Sequence, residues 1–459
     1  MQITMNQKQL TTTIGFSTFA IILLATSCQS NFWNAIALSF LMIFFWVFEV
    51  IPIYLTALFP LVFAIPLGVL SKDDLAMAYG DGNVFLFFGG FLLALGLEKW
   101  NVHEQIARGI ISTVGQSPVR ILFGFIMSTG LISMWISNTA TALMMLPMAL
   151  AIIEALPKHD QKGKFSVFLM LSVAYASSIG GVGTLVGSPP NTQMASILEK
   201  QFNTEVDFFT WMKIGFPVAI LMLIVLFLVF YFSMRKEAKK TTNHFHLPRS
   251  PWTKDQIKVL VIFAGVVLLW SFKDVINNLT GFSYRDENVA ILGGALLFLI
   301  PSQEKKTLLK WEDTKQLPWG ILLLFGGGLA LAAIMEKNGM IEVMSNAFSQ
   351  MDSVSYFGIL ITVVTIAVFA SEVLSNLAMV VIFVPIAAGF ANQLDIPILK
   401  LAIPLTLGAS LAFMLPVGTP PNAIVFSSGY LKVKDMVKYG LILNLIGIGI
   451  IVLLSWILL

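Results

Sequence analysis

The sequence contains little charge and almost no cysteine. Only 12% of its 459 residues are charged, whereas an ordinary soluble domain carries about a quarter. With 57% hydrophobic residues, a soluble fold could not hide so much apolar surface, so we expect membrane lipid to surround most of it. The single cysteine, Cys28, excludes an intrachain disulfide and a thiolate metal cluster. The net charge of +3 is too small and too dispersed to indicate a nucleic-acid partner.

The sequence also lacks a nucleotide-binding motif and a pairing of nucleophile and base. The run Gly326-Gly327-Gly328 lies in an apolar segment without Walker spacing, so close helix packing explains it better than phosphate binding. The histidines lie outside the interrupted helices described below, and they are His103, His159, His244 and His246. These absences argue against ATP-driven transport by this chain alone and against a membrane enzyme.

Long apolar runs predict the membrane-spanning helices. A span needs about 20 mainly apolar residues, and nine such runs lie near 13–29, 33–50, 52–70, 84–98, 211–233, 255–273, 286–301, 318–336 and 437–458. Regions 119–156 and 355–391 each contain a small polar junction and are interpreted as re-entrant hairpins. Regions 166–198 and 399–428 are interrupted by Gly and Pro and are interpreted as broken helices. The sequence therefore predicts an all-α polytopic membrane protein with eleven transmembrane helices and two hairpins.

The basic residues predict the orientation of the chain. Most Lys and Arg residues fall at the N-terminus or in five segments, which are 99–120, 157–164, 234–258, 302–315 and 431–438. The positive-inside rule then places the N-terminus in the cytoplasm and the C-terminus outside. The first hairpin would enter the membrane from the cytoplasm and the second from outside.

Two halves of the chain, 1–235 and 255–459, resemble each other. Ser137-Asn138 recurs 238 residues later as Ser375-Asn376, and the stretch 187–191 has a counterpart at 418–422. The number of spans between the copies gives them opposite orientations. An inverted repeat with paired broken helices indicates a transporter with its binding site at the breaks.

The residue types at these motifs suit an anion bound together with cations. Gly and Pro interrupt a helix and free backbone carbonyl and amide groups. Carbonyl oxygens can coordinate a cation, and helix N-termini can hold an anion. Small residues in a membrane helix also serve simple packing, but four motifs at matched positions favour a binding site.

At these motifs the sequence resembles the divalent anion/sodium symporter family, also called INDY-type transporters, and within it the bacterial sodium–dicarboxylate members. The most specific stretches are 133–141, 184–191, 324–328 and 413–425. The resemblance implies an inner-membrane homodimer that works by an elevator mechanism. A transport domain with the hairpins and broken helices would slide against a scaffold that includes 33–70 and 211–301. It also implies symport of sodium with C4 dicarboxylates such as succinate, malate or fumarate into the cell.

The resemblance further implies the residues that bind the ligands. The substrate is expected at Ser137, Asn138, Thr139, Ser375, Asn376 and Pro420. A first sodium ion is expected at Ser133, Ser137, Asn138 and Gly187. A second is expected at Ser371, Leu374, Asn376 and Gly418. The second hairpin departs from the family at Leu377, where Thr is usual. Leucine can neither donate nor accept a hydrogen bond, so we expect a changed affinity or substrate size preference.

Two other transport functions stay open. A sodium-independent dicarboxylate exchanger would need a fixed positive group in place of sodium, and the four motifs contain no Lys or Arg. A sodium/sulfate symporter remains open because Leu377 makes the second hairpin less polar. The acidic residue Glu372 could carry a proton, shape the cation site, or pair structurally with a hydroxyl or a lysine. We favour the structural role for Glu372.

Overall fold

The computed structural model describes residues 5–25, 30–48, 51–114, 117–154, 156, 161, 163–238, 251–304, 306–343 and 355–459. Cys28, His159, His244 and His246 lie outside these residues, as does part of the predicted loop 234–258. Within the described residues the regular structure is helical apart from one isolated bridge between Pro301 and Thr307. The predicted all-α fold is therefore confirmed.

The helices follow in chain order, with a 3₁₀ turn at Trp311–Gln316. They are α1 (Met5–Ala25), α2 (Asn31–Phe48), α3 (Ile53–Thr56), α4 (Phe59–Phe63), α5 (Lys72–Tyr79), α6 (Gly82–Lys99), α7 (Val102–Val114), α8 (Pro118–Ser133), α9 (Asn138–Glu154), α10 (Lys164–Gly181), α11 (Pro189–Phe202), α12 (Phe208–Ala238), α13 (Lys254–Ser271), α14 (Lys273–Thr280), α15 (Asp286–Leu299), α16 (Trp319–Lys337), α17 (Tyr356–Ser371), α18 (Asn376–Gln393), α19 (Leu399–Ala409), α20 (Pro420–Ser427) and α21 (Val433–Leu458).

Length and composition separate two groups of apolar helices. Within the described residues, seven helical segments are long and apolar enough to cross a membrane. They are 8–25, 31–48, 72–99, 164–181, 208–234, 319–337 and 433–458. The helices of the predicted hairpins, α8, α9, α17 and α18, are shorter apolar helices. The predicted total of eleven transmembrane helices stays a prediction.

The structure corrects one predicted span. Residues 52–70 do not form a single helix, because α3 and α4 are separated by a turn and α4 ends at Phe63. Pro60 lies in the first turn of α4, and Pro66 follows its end. Proline lacks an N–H donor and clashes with the preceding helical turn, so an uninterrupted helix through this segment is disfavoured.

Four short connections lie between the paired helices, and we name them by position. Tip 1 (134–137) joins α8 to α9, and tip 2 (372–375) joins α17 to α18. Break 1 (182–188) separates α10 from α11, and break 2 (410–419) separates α19 from α20. Both α11 and α20 begin with two prolines, which fit a first helical turn because its N–H groups have no intrahelical partner. Helix α9 packs against α20, and α11 packs against α18.

Residues about 238 positions apart make equivalent contacts. Lys99 at the end of α6 pairs with Asp313, and Lys337 at the end of α16 pairs with Asp74. The rings of Phe87 and Phe325 contact each other, with centroids 4.6 Å apart. A residue and its counterpart would meet in this way on a two-fold axis, which agrees with the inverted repeat; the repeat itself stays a prediction.

Helix α12 packs with the hairpin and the broken helix of the first half. It contacts α8, α10 and α21, whereas α15 packs against α6 and α13. Phe230 of α12 stacks on Phe168 of α10 at 4.6 Å, and Phe227 lies 5.0 Å from Phe123 of α8. The aromatic side chains of α12 fit the surfaces of α8 and α10, and α12 also contacts α13. For α12 this packing argues against the scaffold membership expected for 211–301, which stays a prediction.

Gly327 allows α16 to approach α3 closely, and we expect Gly327→Ala to destabilise the fold. An added methyl group would lie 2.4 Å from the Ala57 carbonyl oxygen and 2.6 Å from the Ala57 Cα, which are backbone atoms. Overpacking of this kind costs about 1–3 kcal/mol, so the melting temperature of the purified protein should fall. Gly265→Ala in α13 is the control, because nothing lies within 4 Å of its added methyl group. Equal melting temperatures for the two variants would contradict the prediction.

Candidate functional site

Tip 1 brings two of the predicted ligands into direct contact. The Ser133 hydroxyl is fully buried, and its oxygen lies 2.9 Å from Asn138 Oδ1 and 2.7 Å from the Ser177 carbonyl oxygen. The Asn138 amide rests on Gly181, where an added Cβ would lie 2.2 Å from Asn138 Oδ1. A group of neutral oxygen atoms from α8, α9 and α10 therefore meets beside tip 1, at a place where Gly181 cannot carry a side chain.

Break 1 is folded onto tip 1 by hydrogen bonds. The Thr184 hydroxyl donates to the Met134 carbonyl and accepts from the Gly187 N–H at 3.1 Å. Asn191 Nδ2 donates to the carbonyls of Gly181 at 2.9 Å and Thr184 at 2.8 Å. These bonds pair backbone groups that the interruption of the helix would leave free. The predicted residue Gly187 is buried in this arrangement, whereas Ser137 and Thr139 are half-buried.

Break 2 uses the same amide pattern. Asn422 Nδ2 donates to the carbonyls of Ala412 at 3.0 Å and Leu415 at 2.9 Å. The spacing of ten and seven residues equals that of Asn191 in break 1. In both cases the Oδ1 atom is buried and has no hydrogen-bond partner among the described residues. Asn191 and Asn422 therefore fix the two breaks in matching conformations.

Asn376, the first residue of α18 after tip 2, has a buried polar atom without a hydrogen-bond partner among the described residues. Asn376 Oδ1 accepts no hydrogen bond from the part of the chain that the structure describes. Ser371 is fully buried but its hydroxyl donates locally, to the Val368 carbonyl at 2.9 Å. Ser375 caps α18 by accepting from the Ala378 N–H at 3.2 Å. Leu374 is half-buried, Gly418 is buried and Pro420 is exposed. No hydrogen bond among the described residues joins the Ser371 and Asn376 side chains.

Glu372 in tip 2 is buried, and break 2 surrounds its carboxylate. Oε1 accepts from the N–H groups of Phe413 at 2.8 Å and Met414 at 2.9 Å, and from Asn444 Nδ2 at 2.7 Å. Oε2 accepts from the N–H groups of Met414 at 3.0 Å and Leu415 at 3.1 Å. The favoured structural role agrees with these contacts, but the partners that the described part of the chain supplies are amides and not the expected hydroxyl or lysine. Backbone amides supply the bonds because break 2 leaves them without helical partners.

Apolar side chains lie beside both tips. Leu377, which is 7% exposed, lines a small cavity with Trp46, Ile53 and Leu324, and Ser375 is the polar residue in this lining. A second cavity, beside Ser137 and Gly187, is lined by aromatic side chains, namely Phe87, Phe91 and Trp135. Leu377 therefore fills an apolar position between hairpin 2 (α17–α18) and the helices α2, α3 and α16.

No role was predicted for Thr184, Asn191, Asn422 or Asn444. The first three lie within the motifs, but their hydrogen bonds depend on how each break folds. The sequence could have identified Asn444, because it is the single amide residue inside the long apolar helix α21. The structure buries it fully there. A polar residue inside an apolar span has a partner or a function as a rule.

Charged groups also connect α11 to its neighbours. Asp81 at the start of α6 is 3% exposed and accepts from the Ser196 hydroxyl at 2.9 Å, and Lys200 lies 3.0 Å from it. Glu199 of α11 pairs with Arg285 at the start of α15. The end of α11 is thus held by ion pairs to α6 and α15.

Comparison with known proteins gives one family and a set of relatives. Residues 5–459 match the model of the sodium:sulfate symporter transmembrane region. The sodium-dependent dicarboxylate transporter SdcS of Staphylococcus saprophyticus is 36% identical over 431 residues, covering 90% of this chain and 83% of the relative. SdcS of Staphylococcus aureus strain USA300 matches with the same identity and coverage.

Two solved transporters share the fold. The YdaH transporter of Alcanivorax borkumensis superposes with a TM-score of 0.60 at 12% identity, over 85% of this chain and 90% of that structure. MtrF of Neisseria gonorrhoeae superposes with a TM-score of 0.57 at 12% identity, over 84% of this chain and 82% of that structure. At this identity the likeness concerns the fold alone.

We expect Asn422→Leu to destabilise the protein, because it removes the hydrogen bonds that the Asn422 amide donates to the Ala412 and Leu415 carbonyls of break 2. A buried backbone group left without its partner costs about 1–3 kcal/mol. The melting temperature should therefore fall clearly below that of the wild type. Asn392→Leu is the matched control, because Asn392 is exposed near the end of α18. A wild-type melting temperature for Asn422→Leu would mean that the amide does not hold the break.

Proposed function

The chain belongs to the sodium:sulfate symporter family, and from this premise we propose that it carries a dicarboxylate together with sodium ions across the membrane. It is a multi-pass membrane transporter and not an enzyme. The observation that carries the proposal is the contact between Ser133 and Asn138, which gathers neutral oxygen atoms at tip 1. The names of the staphylococcal relatives support both sodium and a dicarboxylate as the transported species.

We assign the first sodium ion to tip 1 and break 1. Hard cations prefer oxygen ligands, and the proposed ligands are Ser133, Ser137, Asn138 and Gly187. Asn138 Oδ1 and the Ser133 oxygen already lie 2.9 Å apart, so both can face one ion. The Met134 and Gly181 carbonyl oxygens lie beside Gly187, at 2.8 Å and 2.7 Å from the position of an added Cβ.

We assign the second sodium ion to tip 2 and break 2, at Ser371, Leu374, Asn376 and Gly418. The unpartnered Asn376 Oδ1 supports this assignment. A buried polar atom without a partner costs free energy, and a bound cation would supply the missing partner.

The proposed substrate site uses helix N-termini and neutral side chains. Helices α9, α11, α18 and α20 each begin at a tip or a break, and each N-terminus carries a partial positive charge. Because α11 and α20 begin with two prolines, which lack an N–H group, the proposed backbone donors are those in the first turns of α9 and α18. The proposed contacts are Ser137, Asn138, Thr139, Ser375, Asn376 and Pro420. We expect C4 dicarboxylates, such as succinate, malate or fumarate, because a dianion can bridge two tips.

Sodium and substrate are coupled in this proposal through charge. The four motifs contain no Lys or Arg, so partial charges alone would face a dianion. Desolvating a dianion without nearby cations is very unfavourable. Sodium ions bound beside the tips would supply the missing positive charge, and the substrate would then bind well only when sodium is present.

We propose an elevator movement in a homodimer of the inner membrane, with the N-terminus in the cytoplasm and uptake into the cell. The moving part would contain both hairpins, both broken helices, α12 and α21, because these pack together. The static part would include α2, α6, α13, α15 and α16. The ion pairs of Lys200 with Asp81 and of Glu199 with Arg285 cross between the parts. Sliding would break them.

A sodium/sulfate symporter is the second candidate, favoured by the apolar surroundings of Leu377. Trp46, Ile53 and Leu324 line the same cavity as Leu377, and the Trp46 indole already donates to the Ile53 carbonyl at 3.1 Å. Ser375 adds one hydroxyl to this lining, whereas a Thr in place of Leu377 would add a second. A smaller dianion such as sulfate would bind mainly to the polar groups of tip 1 and would depend less on those of tip 2.

Uptake by reconstituted protein tests the main proposal. We expect radiolabelled succinate to enter liposomes with an inward sodium gradient but not when potassium replaces sodium. Asn138→Ala and Asn376→Ala should each reduce uptake at least about tenfold, because a hydrogen bond or ion contact to a charged group contributes about 1.5–3 kcal/mol. Asn392→Ala serves as the control.

Uptake without sodium, and only into liposomes preloaded with dicarboxylate, would instead identify an exchanger. Sodium-dependent uptake of sulfate but not succinate would identify the second candidate. Either result would overturn the dicarboxylate symport proposal.

Leu377→Thr tests whether the apolar side chain sets substrate preference. A hydroxyl at this position adds a donor and an acceptor for a second carboxylate, so succinate uptake should rise relative to sulfate uptake. Leu377→Met keeps the volume and polarity and should leave the ratio unchanged. A succinate-to-sulfate ratio that is the same in Leu377→Thr and the wild type would remove Leu377 from the determinants of specificity.

A further inference from the structure

The two halves differ by one full charge beside their tips. Glu372 in tip 2 stands 238 positions after Met134 in tip 1. Met134 is 1% exposed and contributes its backbone carbonyl, which accepts from Thr184. Break 1 is thus joined to its tip by neutral groups, whereas break 2 is joined to its tip by a carboxylate. Asn191 and Asn422, by contrast, make the same hydrogen bonds in the two breaks.

The contacts of Glu372 show how the carboxylate is held. Three backbone N–H groups and one side-chain amide surround it, and all of them are donors. An ionised carboxylate acts only as an acceptor, so this set of partners matches the charged form. Glu372 is 4% exposed and pairs with no Lys, Arg or His among the described residues. Its charge is solvated by the protein but not neutralised by a protein cation.

This charge lies next to the proposed second ion site. A Cβ placed on Gly418 would be 3.3 Å from Glu372 Oε2. Glu372 also lies in the same tip as Leu374 and one residue after Ser371. Opposite charges attract each other far more strongly in a buried, water-poor environment than in water. A cation at this site would therefore gain an attraction that a cation at tip 1 lacks.

We propose that Glu372 is a positioning residue that makes the second ion site the tighter of the two and lets it bind sodium before the substrate arrives. The inference rests on the proposed function. The carboxylate holds residues 413–415 against tip 2, so the second site is formed without substrate. Its charge provides the electrostatic attraction for the ion. The first site has only neutral groups, and its ion depends on the negative charge of the dianion.

The test is the melting temperature of purified protein as sodium chloride replaces potassium chloride at constant ionic strength and without dicarboxylate. A ligand that binds only the folded protein raises the melting temperature according to its affinity. We expect Glu372→Gln to raise the half-saturating sodium concentration at least about tenfold, since a nearby charge contributes that much or more to ion affinity. Glu372→Asp keeps the charge and should stay within about threefold of the wild type.

Two further variants separate charge from packing and one ion site from the other. Asn444→Ala removes one neutral donor of Glu372 and leaves the backbone donors, so its half-saturating sodium concentration should stay near the wild-type value. Ser133→Ala alters the first site and should change the sodium response only when succinate is present. In uptake assays at saturating sodium, Glu372→Gln should leave the KM for succinate within about threefold of the wild type.

An unchanged sodium response in folded Glu372→Gln would overturn the inference and leave the proposed function standing. A substrate-free shift in Ser133→Ala as large as that in Glu372→Gln would also overturn it. If Glu372→Gln does not fold, Glu372→Asp tests the inference instead. A tenfold loss of sodium affinity in Glu372→Asp, which keeps the charge, would show that the charge does not set the sodium affinity. A wild-type protein that does not respond to sodium would overturn both the inference and the proposed function.

Discussion

An interrupted helix in a membrane leaves N–H and C=O groups that lipid cannot pair, and this protein depends on how it pairs them. Each buried backbone group without a partner costs free energy. Asn191 and Asn422 solve the problem for the carbonyls, each by donating to two of them. Thr184 and Glu372 solve it for the amides. The breaks can persist because these side chains replace the missing helical bonds.

The same pairing sets the chemistry that remains for a ligand. Because amide nitrogens of Asn191 and Asn422 are used for structure, their oxygens stay buried and unpaired, as does that of Asn376 among the described residues. Helix N-termini at the tips and breaks add partial positive charge. A region with neutral oxygens for cations and helix N-termini for anions suits the joint binding of the two. The protein can therefore bind both the cation and the anion with neutral groups. The carboxylate of Glu372 is the exception.

Close contacts between the halves hold α6 and α16 against their neighbours. Gly89 and Gly327 occupy equivalent positions, and each lets its helix lie against the backbone of a neighbouring alanine, Ala290 or Ala57. Phe87 and Phe325 meet between the two halves. Small residues permit this approach, and van der Waals packing rather than hydrophobic burial then stabilises helices in lipid. The glycine run in α16 is therefore explained by packing, as the sequence indicated.

The sequence by itself determined the membrane environment, the all-α fold and the family. These follow from composition, apolar runs and short motifs, which are local properties of the chain. It missed the interruption in 52–70, where Pro60 outweighs the apolar run, and it did not predict that α12 packs on α8 and α10. Tertiary structure alone decided that α12 packs on α8 and α10, that Ser133 meets Asn138, and that Glu372 binds the amides of break 2 together with Asn444, 72 residues further along. The reason is physical: periodicity and motifs report what each segment prefers, whereas the partner of a buried polar group is set by distant segments that folding brings to it.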